Sequence, residues 1–288
     1  MKVIEKKLIE LGYQKIETPL LSDFNQTRIY LSEVEQKNAI KVTSPDGRVL
    51  NLRCDSTLAM VLSKTNKIEQ NIYYFEPNYN YDFEKNQMNE VYQIGIENAK
   101  FGIAKLEQNN AELAYGLESL ELAITLLKEK ERSNLLVEVS NEALFMEVLD
   151  DLSLGEEEKE KLLYFIKRRN AKEIRICLEQ SAVSINVIEV LVKLTSHPIQ
   201  LDLVLSMIEN ITIFNKLTQW LEVISQRIGN DLLFEGLPDA SKPYYSGLSY
   251  RIYDKENHLL SVSGGCYYFE AFEVAGCGFT IPMEVISC

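Results

Sequence analysis

Two polar side chains on one face of a predicted strand are the first candidates for chemistry. Gln93 and Glu97 lie in the segment VYQIGIE, with Gly95 between them. Side chains alternate along a strand, so these three residues share a face, and the glycine leaves space above the sheet. Such a face would suit the floor of a small-molecule pocket. A solvent-exposed face is the alternative, and the spacing alone favours exposure.

Further polar groups stand where apolar segments begin or end. Asp55 ends the segment LRCD and precedes a predicted helix over 56–63, so Asp55 or Ser56 should cap that helix. Tyr244 and Tyr245 follow a proline at the start of another predicted strand. All of these groups can bind a small polar ligand through hydrogen bonds.

Glycines and histidines carry weaker signals. Gly264–Gly265 and Gly276/Gly278 mark either close approach of a backbone or ligand, or ordinary turns, and turns are the commoner reason. His197 and His258 have no visible nucleophile partner, so the sequence favours surface positions for both.

The sequence predicts neither a metal nor a cofactor. Five cysteines include no CxxC pair, and the chain has two histidines, which argues against a zinc site. No GxGxxG follows a predicted strand and no GxxxxGK[ST] occurs, so dinucleotide and P-loop sites lack support.

Charge and hydropathy argue against two further classes of partner, although an acidic chain can still carry a local basic patch. The 288 residues include 30 Lys and Arg against 43 Asp and Glu, a net charge of -13. Nucleic-acid binding depends on cations that neutralise phosphates, so such a chain has no electrostatic reason to bind it. No apolar run reaches the roughly 18 residues of a membrane helix, and the N-terminus lacks an apolar signal core. We therefore expect a cytoplasmic protein with reduced thiols.

The order of elements predicts an α+β fold. Strands precede and follow a long helical stretch, which indicates an antiparallel sheet flanked by helices and interrupted by a helical insertion. Residues 1–100 and 231–288 should form the sheet core, and residues 101–230 a mainly helical intervening region. Within the core, the polar segment 78–89 is predicted to be a loop.

Six segments, in this order, resemble the catalytic core of histidyl-tRNA synthetase, a class II fold. They cover about residues 7–100 and 235–288. GYQKIETPLL resembles the dimer-forming class II motif, and LRCDST resembles the family's LRPEGT or LRPDLT. YYFEPNYNYD with NEVYQIGIE resembles the second motif. KPYYSGLSYRIY is similar to GLDYYTGxVFE, SVSGGCYYF to LxGGGRYD, and AGCGFTIPMEVI to the third motif.

The resemblance implies a histidine site. In the synthetases, the positions matching Asp55, Thr57 and Gln93 receive the α-ammonium of the amino acid. The positions matching Glu97 and Tyr245 hold the imidazole. Carboxylates and a tyrosine hydroxyl suit these groups chemically. The implied ligand-binding residues are Asp55, Thr57, Gln93, Glu97, Tyr244 and Tyr245.

Departures from the family concern the arginines that hold ATP and the activated carboxylate. Their positions are taken here by Asn80, Gln87, Asn89, Val285 and, for the arginine that contacts the histidine carboxylate, Ala240. A hydrogen bond to a charged group contributes roughly 1.5–3 kcal/mol, so losing several should cost about 5 kcal/mol or more. We expect that adenylate formation is lost and that the chain has no catalytic residues.

A synthetase-like core without these arginines resembles the regulatory subunit of ATP phosphoribosyltransferase. The chain ends soon after the third motif, so no anticodon-binding domain and no tRNA partner are expected. That family implies self-dimerisation and assembly with a short catalytic subunit, as a hetero-octamer. It also implies a role in the first step of histidine biosynthesis, with L-histidine as the feedback effector.

Two other hypotheses remain open. One is a degenerate class II ligase that activates an amino acid with ATP, drawing its phosphate-binding cations from Lys85 or Arg251. The other is an interaction protein with a vestigial pocket. For the carboxylate of a bound amino acid, Arg53, Lys242 or a backbone N–H could replace the missing arginine.

Overall fold

The computed structural model describes residues 2–63, 69–102, 105–181, 183–229, 231–237, 242–256 and 259–287. The chain divides into two compact units. Unit 1 comprises Met1–Ser133, Lys242–Tyr245 and Leu260–Cys288, and unit 2 comprises Asn134–Ser241 and Ser246–Leu259.

The strands, in chain order, are β1 (Gln14–Lys15), β2 (Leu21–Asp23), β3 (Lys41–Thr43), β4 (Val49–Leu52), β5 (Glu69–Asp82), β6 (Gln87–Phe101), β7 (Leu135–Ser140), β8 (Ile199–Gln200), β9 (Leu232–Phe234), β10 (Tyr245–Asp254), β11 (Leu259–Phe269) and β12 (Val274–Pro282).

The α-helices are α1 (Lys2–Glu10), α2 (Phe24–Thr27), α3 (Glu33–Asn38), α4 (Ser56–Leu62), α5 (Lys105–Lys128), α6 (Glu142–Asp150), α7 (Glu156–Lys167), α8 (Ala171–Gln180), α9 (Ile185–Leu194), α10 (Leu201–Ile208), α11 (Asn215–Ile228) and α12 (Met283–Ser287).

Unit 1 is built on a largely antiparallel sheet. Its strand order is β1–β5–β6–β12–β11, with β1 and β5 parallel and the other neighbours antiparallel. A second sheet has the order β2–β4–β3. This arrangement confirms the predicted α+β class with an antiparallel sheet and flanking helices.

The predicted loop over 78–89 is wrong. β5 continues to Asp82 and β6 begins at Gln87, so most of the segment forms a long hairpin with Asn78 opposite Val91. Cross-strand pairing explains the difference: the Tyr79 hydroxyl donates to Glu90 at 2.8 Å. Polar composition indicated a loop, but alternating tyrosines are good strand formers on an exposed ribbon.

The compact units differ from the predicted domain ranges in three places. β9, predicted within the sheet core, lies in unit 2. α5, predicted to begin the intervening region, lies within unit 1 because it packs against β12. Most of β10, predicted within the sheet core, lies in unit 2, where it pairs with β7 in antiparallel register.

Two helix caps place groups that matter for the site. Asp55 has extended backbone angles and its side chain accepts a hydrogen bond from the Leu58 N–H at 2.9 Å, so α4 begins directly after it. Ser32 and Glu35 form a capping box at the start of α3. Apolar residues of α4, β5 and β11 pack together in the core of unit 1, among them Leu58, Ile72 and Phe269.

Unit 2 contains a four-stranded sheet of order β10–β7–β9–β8, in which β7 and β9 are parallel. Helices α6 to α11 also belong to unit 2, where α10 packs against β8 and β9, and the amphipathic faces of these helices bury Phe145, Leu191, Leu217 and Leu221. No helix in the described ranges of the chain is long and apolar enough to cross a membrane.

Candidate ligand-binding site

Unit 1 encloses a cavity of about 260 Å³. That volume is near the lower end of small-molecule pockets, roughly 300–1,000 Å³, and suits a ligand of amino-acid size. The structure brings all six predicted site residues to it. The residues that line it are Cys54, Asp55, Ser56, Thr57, Asn78, Asn80, Val91, Gln93, Glu97, Lys242, Tyr244, Tyr245, Ser263, Gly265, Tyr267, Gly278, Phe279 and Thr280.

Asp55 is the best-anchored carboxylate of the cavity. Its Oδ2 accepts a hydrogen bond from the Tyr244 hydroxyl at 2.6 Å and lies 3.0 Å from Lys242 Nζ. Burial acts to raise the pKa of Asp55, but Lys242 and the hydrogen bonds from Leu58 and Tyr244 outweigh it, so the pKa lies below its usual value. Asp55 is therefore an anion, and it has the chemistry to receive an ammonium group.

Lys242 holds its charge between two carboxylates. Its Nζ contacts Asp55 and the Oε1 of Glu35 on α3. Burial acts to lower the pKa of Lys242, yet the two carboxylates raise it above its usual value. Of the residues described as lining the cavity, Lys242 is the one cation.

Glu97 lies at the floor of the cavity and is 1% exposed. Its Oε1 accepts hydrogen bonds from Thr57 at 2.6 Å and from the Tyr74 hydroxyl at 3.0 Å. Burial raises the pKa of Glu97 to about 7, against the effect of these hydrogen bonds. The carboxyl is thus divided between its neutral and charged forms near neutral pH.

The second oxygen of Glu97 has unused hydrogen-bonding capacity. Glu97 Oε2 and the hydroxyl of Tyr267 are buried, and neither has a hydrogen-bond partner of acceptable geometry among the described residues. The Tyr267 hydroxyl nevertheless lies close enough to favour the charged carboxylate. A buried acceptor without a donor costs about 1–3 kcal/mol, so this end of the cavity favours a ligand that brings an N–H group.

Glycines on neighbouring strands make room for these side chains. A Cβ at Gly278 would lie 1.8 Å from Glu97 Oε2, and one at Gly276 would lie 2.5 Å from the Tyr267 hydroxyl. Both glycines lie within β12, so the interpretation of this pair as turn residues is wrong. Gly264–Gly265 likewise lies within β11.

The face that carries Gln93, Gly95 and Glu97 is not exposed. Gly95 and Glu97 are buried and Gln93 is half-buried. The space over Gly95 is not empty as predicted, because the ring of Tyr74 fills it, and a Cβ there would lie 2.1 Å from that ring. The pocket interpretation of the strand therefore fits the structure, because Gln93 and Glu97 both line the cavity.

The two tyrosines of the predicted site have different surroundings. Tyr244 is buried, stacks on Phe269 at 4.5 Å and donates to Asp55. Tyr245 is half-buried and lines the cavity, and its ring stands nearly perpendicular to that of Tyr244, with centroids 5.6 Å apart. Tyr244 positions Asp55, and Tyr245 faces the ligand space.

The positions that match the synthetase arginines carry no positive charge in the structure. Asn80 lines the cavity and accepts a hydrogen bond from Asn89 at 3.2 Å. Gln87 is exposed at the start of β6, and Val285 is buried in α12. Ala240 lies outside the described residues.

Arg53, one candidate to bind a ligand carboxylate, is engaged elsewhere. It is 5% exposed, and its guanidinium donates to the carbonyl oxygens of Pro77 and Thr18 and lies 3.1 Å from Glu76 Oε2. Arg53 is absent from the cavity lining. It connects β4, β5 and the segment before β2, so its role is structural.

The structure shows neither an activated Cys54 thiol nor, among the residues it describes, a metal-binding cluster. Burial, with a contribution from Asp55, raises the pKa of the Cys54 thiol to about 12, so Cys54 stays protonated at neutral pH. Among the described residues, no three His, Cys, Asp or Glu side chains are placed to hold a metal ion. His197 lies in unit 2, between α9 and β8, and His258 lies outside the described residues.

Sequence reasoning missed several groups at the site. Tyr74 and Tyr267 were not identified as site residues, because aromatic side chains in a strand have the appearance of core residues. Glu35 was also missed, since it lies 207 positions before Lys242. In the observed register, Tyr74 lies opposite Gly95 and Glu97 lies opposite Gly278. This register would have identified Tyr74 as a site residue, but the register is known only once the fold is known.

Comparison with known proteins bears on the family. A family model described as histidyl-tRNA synthetase matches residues 3–286. A protein of Oceanobacillus iheyensis named ATP phosphoribosyltransferase regulatory subunit is 27% identical over 186 residues, which are 64% of this chain and 44% of that protein. The chain thus matches less than half the length of this curated relative.

Two solved structures share the fold. One is an ATP phosphoribosyltransferase regulatory subunit/histidyl-tRNA synthetase from Bacillus halodurans, with a TM-score of 0.70, 20% identity, and coverage of 98% of this chain and 76% of that one. The other is the ATP phosphoribosyl transferase (HisG:HisZ) complex from Thermotoga maritima, with a TM-score of 0.69, 18% identity, and coverage of 97% and 94%. At these identities the likeness establishes the class II synthetase-like fold.

Proposed function

The chain belongs to the histidyl-tRNA synthetase family, and from that premise we propose that it is a non-catalytic, histidine-binding subunit of an ATP phosphoribosyltransferase. In this proposal it assembles with a short-form catalytic subunit and supports the first step of histidine biosynthesis. The observation that carries the proposal is the charge of the cavity. Two buried carboxylates, Asp55 and Glu97, face the cavity. Among the described residues that line the cavity, Lys242 is the one with a positive charge.

This charge pattern opposes ATP-dependent activation of a carboxylate. A nucleotide triphosphate brings several negative charges, and transition-state stabilisation of phosphoryl and acyl transfer depends on cations at the developing charge. Asn80 and Asn89 bond to each other where the family has arginines, and Val285 is apolar. At roughly 1.5–3 kcal/mol for each lost charged hydrogen bond, adenylate formation should slow by a factor on the order of thousands.

The same pattern suits L-histidine. Its α-ammonium would pair with Asp55, with Thr57 and Gln93 as neighbouring acceptors. Its imidazole would donate an N–H to Glu97 Oε2, the buried oxygen without a partner. Tyr245 would pack beside the ring at the open side of the cavity.

The proposed partner is supported by the names of the relatives. A curated relative is named as the regulatory subunit, and a structural neighbour is a complex of HisG and HisZ. We propose a hetero-octamer that includes self-dimers of this chain and excludes tRNA. Feedback requires that histidine favour one state of the complex, and a coupling of roughly 1–3 kcal/mol would be typical.

Reconstitution tests the proposal. The purified chain is mixed with a short-form ATP phosphoribosyltransferase catalytic subunit, and phosphoribosyl transfer is measured with and without L-histidine. We expect the chain to raise activity and L-histidine to lower it. Glu97→Gln keeps the side-chain volume, so it should retain the activation and lose most of the response to histidine. Absence of a complex by gel filtration, together with no activation, would overturn the proposal.

The two other hypotheses give different results, the first in an ATP–pyrophosphate exchange assay and the second in the reconstitution. A degenerate ligase would catalyse ATP–pyrophosphate exchange with an amino acid. Its candidate cations lie elsewhere, since Lys85 is 69% exposed and pairs with Asp82, and Arg251 pairs with Glu138 in unit 2. An interaction protein with a vestigial pocket would activate the partner and ignore histidine.

A further inference from the structure

We propose that Lys242 is the carboxylate-recognising residue of the site, and that it exchanges its contact with Asp55 for the ligand carboxylate when an α-amino acid binds. The inference rests on the proposed function, because it requires an amino-acid ligand. It assigns a role to a side chain that does not align with the family's carboxylate-binding arginine, whose position is Ala240.

The contacts of Lys242 place its ammonium group beside the carboxylate that the α-ammonium of the ligand would need. Lys242 Nζ lies 3.0 Å from Asp55 Oδ2, the same oxygen that accepts from Tyr244. The other oxygen, Oδ1, accepts from the N–H of Leu58. Lys242 thus occupies the position of the incoming α-ammonium, and the two cations must compete for one oxygen.

Displacement of Lys242 brings it to the ligand carboxylate. Two ammonium groups at one buried carboxylate repel each other, so Lys242 moves away from Asp55 when the ligand arrives. In an α-amino acid the carboxylate is one carbon away from the ammonium. Lys242 can therefore exchange Asp55 for that carboxylate with a small side-chain movement, and every charge in the site keeps a partner.

Glu35 keeps Lys242 close during this exchange. Its Oε1 contacts Lys242 Nζ, and its Oε2 accepts from the Ser32 N–H and hydroxyl, both at 2.9 Å. The capping box therefore holds Glu35 whether or not Lys242 moves. Lysine suits this role because its ammonium is a point charge on a flexible stem, and the side chain is 26% exposed.

Arg53, another candidate to bind the ligand carboxylate, is less suitable than Lys242. Arg53 is buried and does not line the cavity. Its guanidinium donates to two oxygens of Thr18 and to the carbonyl oxygen of Pro77, and it forms an ion pair with Glu76. Within the described lining, Lys242 is the remaining cationic group. Its flexible side chain and two carboxylate contacts make it able to change partners.

Calorimetric titration with L-histidine and with histamine, which lacks the carboxylate, tests the proposal. We expect the native chain to bind L-histidine roughly 10- to 100-fold more tightly than histamine, the range of one charged hydrogen bond. Lys242→Met keeps the apolar stem, so it should weaken L-histidine binding by about the same 10- to 100-fold and leave histamine binding equal or tighter. In Lys242→Met, the affinities for L-histidine and histamine should then agree within about threefold. Lys85→Met, at an exposed lysine of the β5–β6 hairpin, should change neither value.

Lys242→Arg gives the second arm of the test. It keeps the charge, so it should retain most of the preference for L-histidine, and it removes the risk that Lys242→Met fails to fold. Equal affinity of the native chain for the two ligands, or an unchanged preference in a folded Lys242→Met, would overturn the role of Lys242. Failure of the native chain to bind L-histidine at all would instead refute the proposed function.

Discussion

Replacement of Glu97 by glutamine should remove a pH dependence of stability that the native chain carries. Burial raises the pKa of the Glu97 carboxyl from 4.5 to about 7 in the folded chain. A carboxyl with a raised folded-state pKa binds its proton more tightly when folded. Its stabilising contribution is therefore fully present below about pH 4.5 and is lost as the pH rises through about 7.

The magnitude follows from the two pKa values. At about 1.36 kcal/mol for each pH unit between 4.5 and about 7, the native chain should lose roughly 3 kcal/mol of its free energy of unfolding relative to Glu97→Gln. Most of this loss falls between pH 5 and pH 8. Titration of all other groups is common to both proteins and cancels in the difference.

Urea unfolding followed by far-UV circular dichroism at pH 5, 6, 7 and 8 measures this difference. The single tryptophan, Trp220, belongs to unit 2, so its fluorescence reports on that unit and does not suffice. Glu84→Gln, at an exposed position of the β5–β6 hairpin, is the control for neutralising a surface carboxylate. A difference between the native chain and Glu97→Gln that stays constant within about 0.5 kcal/mol from pH 5 to pH 8 would refute the reasoning.

Two further substitutions test the packing around the site. A Cβ at Gly278 would lie 1.8 Å from Glu97 Oε2 and 2.8 Å from a backbone oxygen, so Gly278→Ala should weaken L-histidine binding about tenfold or more by calorimetry. Gly155→Ala, 3.6 Å from its nearest neighbour, should leave the affinity unchanged, and equal affinity of both variants would count against the role of Glu97. Arg53→Met leaves Glu76 buried without its cation, so the free energy of unfolding in urea should fall by about 3–5 kcal/mol. A loss below about 1 kcal/mol would show that this ion pair is dispensable.

The fold class could be predicted from the sequence because strands precede and follow one long helical stretch, and because six short segments resemble one family. It also named six residues that the structure places around one cavity. Asp55 and Tyr244, which are 189 positions apart, could be grouped only through that resemblance. The alternation of side chains along VYQIGIE put Gln93 and Glu97 on one face of the strand, but alternation alone cannot distinguish a buried face from an exposed one.

Other features depend on contacts that no local pattern contains. The hairpin over 78–89 has a polar composition because it is exposed, and exposure is a tertiary property. Tyr74 fills the space over Gly95 only because β5 and β6 pair in the observed register. Lys242 was one of three candidates for the carboxylate. Its contact with Asp55 and the contacts of Arg53 with Thr18, Pro77 and Glu76 support our proposal of Lys242, and neither could be inferred from the sequence.

If L-histidine binds as proposed, Glu97 connects the stability of the chain with its ligand binding. A buried carboxyl with one unpartnered oxygen destabilises the folded chain at neutral pH, because the charged form is poorly solvated. A ligand that donates an N–H to that oxygen removes the penalty. Part of its binding free energy therefore comes from relief of this destabilisation of the folded chain. Histamine and L-histidine both carry the imidazole and should recover it alike. The difference between the two ligands therefore reports on the Asp55–Lys242 end of the cavity. The pH dependence of either one, after correction for the titration of its own imidazole near about pH 6.5, reports on the Glu97 end.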